Sequence, residues 1–177
     1  MKAQGQQDAK MGGGGPCPPG SHVFKWIQAS YKKREEPSAA GTVGSIMLIA
    51  ECVDSENKAA IGKKVVEFIN HNQDPESQAG QIAERTLADY LANTPGKGGK
   101  SLHDTLQDSS VDYWFTRLVI EKIELAINGN DLHFKGTTRL GKDNEGKDRA
   151  EFASVSPIGN FGVGVSSTDN ASGSDEW

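Results

Sequence analysis

Cysteine is almost missing from this chain, long apolar runs are missing altogether, and no catalytic signature occurs. Among 177 residues only Cys17 and Cys52 are cysteines, too few for a disulfide framework and without the paired spacing of a zinc site. No apolar stretch approaches the length of a membrane span, and the opening Met-Lys-Ala-Gln-Gly-Gln-Gln-Asp has no signal-peptide core. The expectation is a reduced, cytosolic protein with no membrane attachment.

The histidines, His22, His71, His103 and His133, stand tens of residues apart, and no His-Glu-x-x-His pattern accompanies them. A Gly-x-Ser-x-Gly elbow and a nucleotide-binding glycine fingerprint are likewise missing. The run Gly12-Gly13-Gly14-Gly15 lacks the Lys-Ser/Thr that would complete a phosphate loop. These gaps point away from an enzyme and imply no cofactor and no metal. A nuclease or other small enzyme built on carboxylates is the third reading.

What is present begins with one well-marked helix. Asp74 is placed to cap it, and Pro75 suits a first turn, where a missing N–H costs nothing. Ala79, Ile82, Ala83, Leu87, Tyr90 and Leu91 fall at helical spacing, and Pro95-Gly96 stops the run. Strand-like segments precede it at 21–31, 44–54 and 63–70. The predicted hairpin, 132–140 with 149–155 around Lys142-Asp143-Asn144-Glu145-Gly146-Lys147, follows it. Between 112 and 128, Phe115, Leu118, Val119, Ile123, Ala126 and Ile127 fit a helix with Gly129 as its stop, while the β-branched content allows a strand; helix is the preferred choice. Residues 96–111 read as a loop. The order is that of a mainly β, α+β domain: an OB-like antiparallel barrel with a helix between the third and fourth strands, a fold that commonly binds single-stranded nucleic acid.

Glycine is concentrated near the ends. Residues 1–20 read as a flexible Gly/Pro-rich lead-in, 21–157 as the OB-like domain, and 158–177 as a disordered tail. Net charge is −5, which argues against a nucleic-acid partner until the distribution is considered, because local field governs a groove. A single-strand groove needs cations for phosphates and exposed flat rings for bases. The candidates are Lys25, Trp26, Tyr31, Lys32, Lys33, Arg34, Lys63, Lys64 and Phe68, joined by Arg139, Lys142, Lys147 and Arg149 from the hairpin. Tyr113-Trp114-Phe115 reads as core packing before a stacking platform or an oligomer contact.

Several segments together carry a resemblance: Pro18-Pro19-Gly20, Ile61-Gly62-Lys63-Lys64, Asn70-His71-Asn72, Gln81-Ile82-Ala83-Glu84-Arg85 with Leu87, Leu102-His103-Asp104-Thr105, and Phe152 with Val155-Ser156-Pro157. Over about residues 18–158 the chain resembles a bacteriophage-encoded family of unknown function, usually met in replication and recombination gene clusters. The insertion around 108–131 departs from its compact pattern. The resemblance implies a phage DNA-metabolism protein, an OB-fold single-stranded-DNA-binding protein in the cytoplasm of the infected bacterial host, and supplies no binding residues to carry over. The ending Ser174-Asp175-Glu176-Trp177 is similar in kind to the tails of bacterial single-strand binding proteins, though shorter and less acidic. Asp175 and Glu176 would meet a basic pocket and Trp177 an apolar one on a replication or recombination protein. A homo-oligomer is possible on this reading. The rival from another class is an adaptor that recruits a recombinase, primase or host factor without touching DNA.

Overall fold

The computed structural model describes residues 15–107 and 113–159. The expected tail site at Asp175, Glu176 and Trp177 lies outside the described residues. Strands β1 (Gly20–Lys33), β2 (Thr42–Asp54) and β3 (Lys64–Asn72) come first. Helices α1 (Gln78–Ala92), α2 (Leu102–Leu106) and α3 (Arg117–Asn128) follow, and β4 (Leu132–Lys142) and β5 (Asp148–Ser156) complete the domain. All strands belong to one five-stranded sheet of order β3-β2-β1-β4-β5, with every pairing antiparallel. Its two edge strands, β3 and β5, lie against one another, but no backbone ladder joins them among the described residues.

Alternation decides what each strand buries. On β2, Ile46, Leu48, Ala50 and Cys52 are buried, and the residues between them are only partly covered. On β1 the buried series Phe24, Trp26 shifts phase to Ala29. The pairing slips between Trp26 and Gln28, so Ile27 is an extra residue, a β-bulge that turns the second half of the strand by one position. The inward faces meet in an aromatic centre. Trp26 stacks on Phe134 at 4.4 Å between centroids, and Phe152 meets Phe24 edge-on at 5.0 Å. Gly136 makes room for it, since a Cβ there would lie 2.6 Å from the Phe152 ring.

The helices close the other side of this core. Gly80, Ala83, Leu87 and Leu91 of α1 are buried, whereas Ala79 is exposed and Ile82 is 51% exposed, so the apolar face is narrower than the sequence predicts. The cap is Ser77, whose Oγ accepts from the Gly80 amide at 3.0 Å. Asp74, expected in that role, instead shapes the turn ahead of the helix by accepting from the Glu76 amide at 3.0 Å. That turn folds tightly onto the helix start, where a Cβ on Gly80 would lie 2.3 Å from the Asp74 carbonyl. The stretch expected to be all loop contains α2, capped by Ser101. Of the stretch read as helix or strand, Arg117–Asn128 is helical, with Gly129 as its C-cap.

Helix α3 also finishes β1. The β1–β4 pairing ends at Trp26↔Leu132, leaving the later backbone groups of β1 without a strand on that side, while β2 continues on the other. Asn128 supplies the substitute: its Oδ1 accepts from Ala29 N at 2.8 Å and its Nδ2 donates to Ala29 O at 3.0 Å. Glu124 accepts from Tyr31 N at 3.0 Å. Side chains thereby satisfy strand groups that would otherwise be orphaned. Before β1, the described chain is packed at Cys17. Cys17 is wholly buried, and the Pro18 carbonyl faces His22 Nε2 at 2.9 Å and accepts from Thr138 Oγ1 at 2.8 Å.

Candidate nucleic-acid interface

The outward face of β1, β2 and β3 carries an ordered set of side chains. Cross-strand register places Ser30, Met47 and Phe68 in one row and Gln28, Ile49 and Val66 in the next. Lys32, Ser45 and Asn70 flank this apolar pair of rows on one side, and Lys25, Glu51 and Lys64 flank it on the other. Phe68 is 55% exposed, an uncommon state for a large apolar ring in the middle of a strand. Its neighbours Met47, Ile49 and Val66 are half-buried. The result is a shallow apolar strip with an open aromatic face, edged on one side by Lys32 and on the other by Lys25 and Lys64 with the Glu51 carboxylate between them.

Among the thirteen residues singled out by sequence, four reach this face: Lys25, Lys32, Lys64 and Phe68. Lys33 and Arg34 stand exposed where β1 runs into the loop to β2, and Arg34 Nε donates to the Glu36 carbonyl at 3.2 Å. Lys32, Lys33 and Lys64 make no ion pair among the described residues. Lys25 is held at 3.6 Å by Asp131.

The remaining candidates sit elsewhere. Trp26 is 2% exposed, and its Nε1 donates to Thr94 Oγ1 at 2.8 Å, so it stacks on Phe134 and not on a base. Tyr31 falls on the inward phase after the bulge and packs against the core. Its hydroxyl is 2.7 Å from His71 Nδ1, and burial raises its pKa. His71 is stacked on Phe115 at 4.9 Å, and burial lowers its pKa. Lys63 is 9% exposed and donates to the Gly15 carbonyl at 3.1 Å, an anchor for the chain start. On the β4–β5 hairpin every candidate cation faces a carboxylate. Arg139 meets Glu151 at 2.8 Å, Lys142 pairs with Asp148, Lys147 lies 3.7 Å from Glu145, and Arg149 lies 3.9 Å from Glu151. Their field toward a phosphate is correspondingly reduced.

The sequence reading missed Gln28, Ser30, Met47, Ile49 and Val66. Their signal is the outward phase they share with Phe68, hidden because Ile46-Met47-Leu48-Ile49 is apolar without interruption. The two cysteines are buried and free, and burial pushes the Cys52 thiol up to about 11, which keeps it a poor nucleophile. Among the described residues no three His, Cys, Asp or Glu side chains gather to hold a metal, and no helix is long and apolar enough to cross a membrane. No protein-family model matches the chain, and no curated protein matches it.

Proposed function

We propose that the chain is a non-catalytic single-stranded-DNA-binding protein of phage replication or recombination, built on an OB-like barrel. The strand order with helices between β3 and β4 supports that architecture, with the β3–β5 seam as the place where the barrel closes. Phe68 carries the functional reading. Its exposed ring, centred on a half-buried apolar strip, is a stacking platform, and Lys32, Lys33 and Lys64 bear charges available to phosphates. Stacking and backbone charge both tolerate any base, so binding is weakly sequence dependent and sensitive to salt.

The test is fluorescence anisotropy of labelled oligo(dT) against the full chain, with duplex competitor and a salt series. Binding that weakens with salt and resists duplex supports the reading; no binding at low salt overturns it. The adaptor is the second reading, favoured by one observation on α3. Leu118 and Leu125, one heptad apart, are 62% and 57% exposed, an apolar stripe suited to a protein partner. Failure to bind DNA leaves that reading in front.

A further inference from the structure

Helix α3 is apolar on two opposite faces. Val119, Ile120, Ile123, Ala126 and Ile127 turn into the core. Leu118 and Leu125 stand on the far side, the two most exposed large apolar side chains among the described residues, and neither belongs to the buried core. At about 100° per residue, seven positions return to within about 20° of the same direction, so the two leucines form one stripe along the helix. A helix that is apolar all round belongs in a position covered on both sides.

The flanks of the stripe specify what covers it. Glu121 lies about 50° to one side of it and Lys122 about 50° to the other. Glu121 holds Arg117 of its own helix at 3.0 Å, while Lys122 makes no ion pair among the described residues. The rim carries both signs, Arg117 and Lys122 against Glu121 and Glu124, so it has no net field to select a strongly acidic or basic partner. It is complementary to itself instead. A two-fold axis parallel to the helix brings opposite flanks together, so leucine meets leucine and each Glu121 faces Lys122 of the second copy. An antiparallel pair sets Glu121 on Glu121 and Lys122 on Lys122, and like charges disfavour it.

We infer that α3 is a homodimer contact: two copies of the chain pair their α3 helices in parallel, covering Leu118 and Leu125 and closing two Glu121–Lys122 ion pairs across the axis. The contact stands apart from the Phe68 face and does not rest on DNA binding. It is also small. Two turns of one helix cover less than the ~1,200 Å² of a stable interface, so the dimer dissociates in the range of about 10 μM to 1 mM. Under the DNA-binding reading, pairing holds a second Phe68 face close to the first, which raises the affinity for a strand that reaches both.

The experiment is sedimentation velocity on the full-length chain without DNA, at concentrations up to about 1 mM. The expected result is a reversible monomer–dimer equilibrium, weakened at least about tenfold by Leu118→Gln together with Leu125→Gln. Both side chains are exposed in the single chain, so the change leaves the fold intact, which circular dichroism checks. Lys122→Glu alone sets like charges across the axis and should weaken the dimer about threefold or more, as should Glu121→Lys alone. Combined, the two reversals restore opposite charges across the axis and should recover most of the lost affinity, although the Arg117 pair within the helix stays broken. A monomer at every concentration overturns the inference and leaves the stripe to a different protein. A dimer indifferent to the leucine changes, or a double reversal no tighter than its singles, overturns it as well.

Discussion

The backbone amide of Phe152 on β5 donates to Glu67 Oε1 on β3 at 2.8 Å, bridging the two edges of the sheet. Glu67 faces inward, opposite buried Leu48, and Arg149 Nη2 lies 4.0 Å from its second oxygen. One carboxylate therefore links two edge strands that no backbone ladder joins among the described residues. Burial raises the Glu67 pKa, opposed by the Phe152 amide and by Arg149. The Tyr90 hydroxyl, close by, is raised by burial and by the Glu67 charge.

This arrangement sets a pH dependence with a definite sign. A carboxyl whose folded pKa lies above its unfolded one binds more protons in the native state, so its contribution to stability declines as pH rises from the ordinary carboxylate range through the folded value. Glu67→Gln keeps an oxygen for the Phe152 amide and cannot ionise. Relative to wild type it should gain stability as pH rises through that window, and level off above it. Glu67→Ala leaves the amide unpaired and should cost ~1–3 kcal/mol. Urea denaturation at a series of pH values reads both; a constant difference between wild type and Glu67→Gln would refute the linkage.

Phe68 and Trp26 provide a matched contrast between the proposed binding role and a role in the fold. Phe68→Ala removes a ring that is more than half exposed and should cost less than about 1 kcal/mol of stability. Its effect on oligo(dT) binding should be ~1–3 kcal/mol, the value of one stacked base. Trp26→Ala removes a buried ring and its bond to Thr94, and should cost ~3–5 kcal/mol of folding stability. Anisotropy and thermal melts on the two variants separate the roles. Unchanged DNA affinity in Phe68→Ala would remove the central residue from the proposed interface.

The legible parts of this fold were those with a local physical signature. The β4–β5 turn is one: Asp143 Oδ1 accepts from the Glu145 and Lys147 amides, and Gly146 has φ +79°, as its place in the turn demands. Helix α3 is another, with a buried stripe at 119, 120, 123, 126 and 127. Trp26 was unreadable because 23–27 is apolar on both phases, and only the bulge at Ile27, a tertiary pairing event, settles which residues turn inward. The hairpin cations stood as phosphate-binding candidates from sequence, since the pairing of Lys142 with Asp148 and of Arg139 and Arg149 with Glu151 appears only once the strands are in register. Glu67 had no signal at all: its inward position comes from the partner edge.

The division among the lysines yields a salt-dependence test. Each phosphate neutralised on a single strand contributes ~0.7 to the slope of log K against log salt. Lys32 and Lys64 make no ion pair among the described residues, so the double change to Gln should flatten the slope by about 1.4. Lys142 and Lys147 are already paired with Asp148 and Glu145. Their double change to Gln should leave the slope nearly unchanged. Equal effects from the two pairs would move the interface toward the hairpin.

Asn128 tests how α3 holds the sheet. Its side chain donates to the Ala29 carbonyl and accepts from the Ala29 amide, replacing the strand neighbour that β1 loses beyond Leu132. Asn128→Ala leaves both backbone groups unpaired unless water reaches them, and should destabilise the fold by ~1–3 kcal/mol. Asn128→Asp retains the acceptor but sets a carboxylate against the Ala29 carbonyl, so its deficit should be at least as large at neutral pH and should shrink in acid, where the protonated form can donate again. Urea melts give the stabilities, and amide exchange at Ala29 reports the local opening. Protection at Ala29 should fall in both variants by more than the global loss of stability explains. If it falls only in step with global unfolding, Asn128 contributes packing and not the strand-like bonds described here.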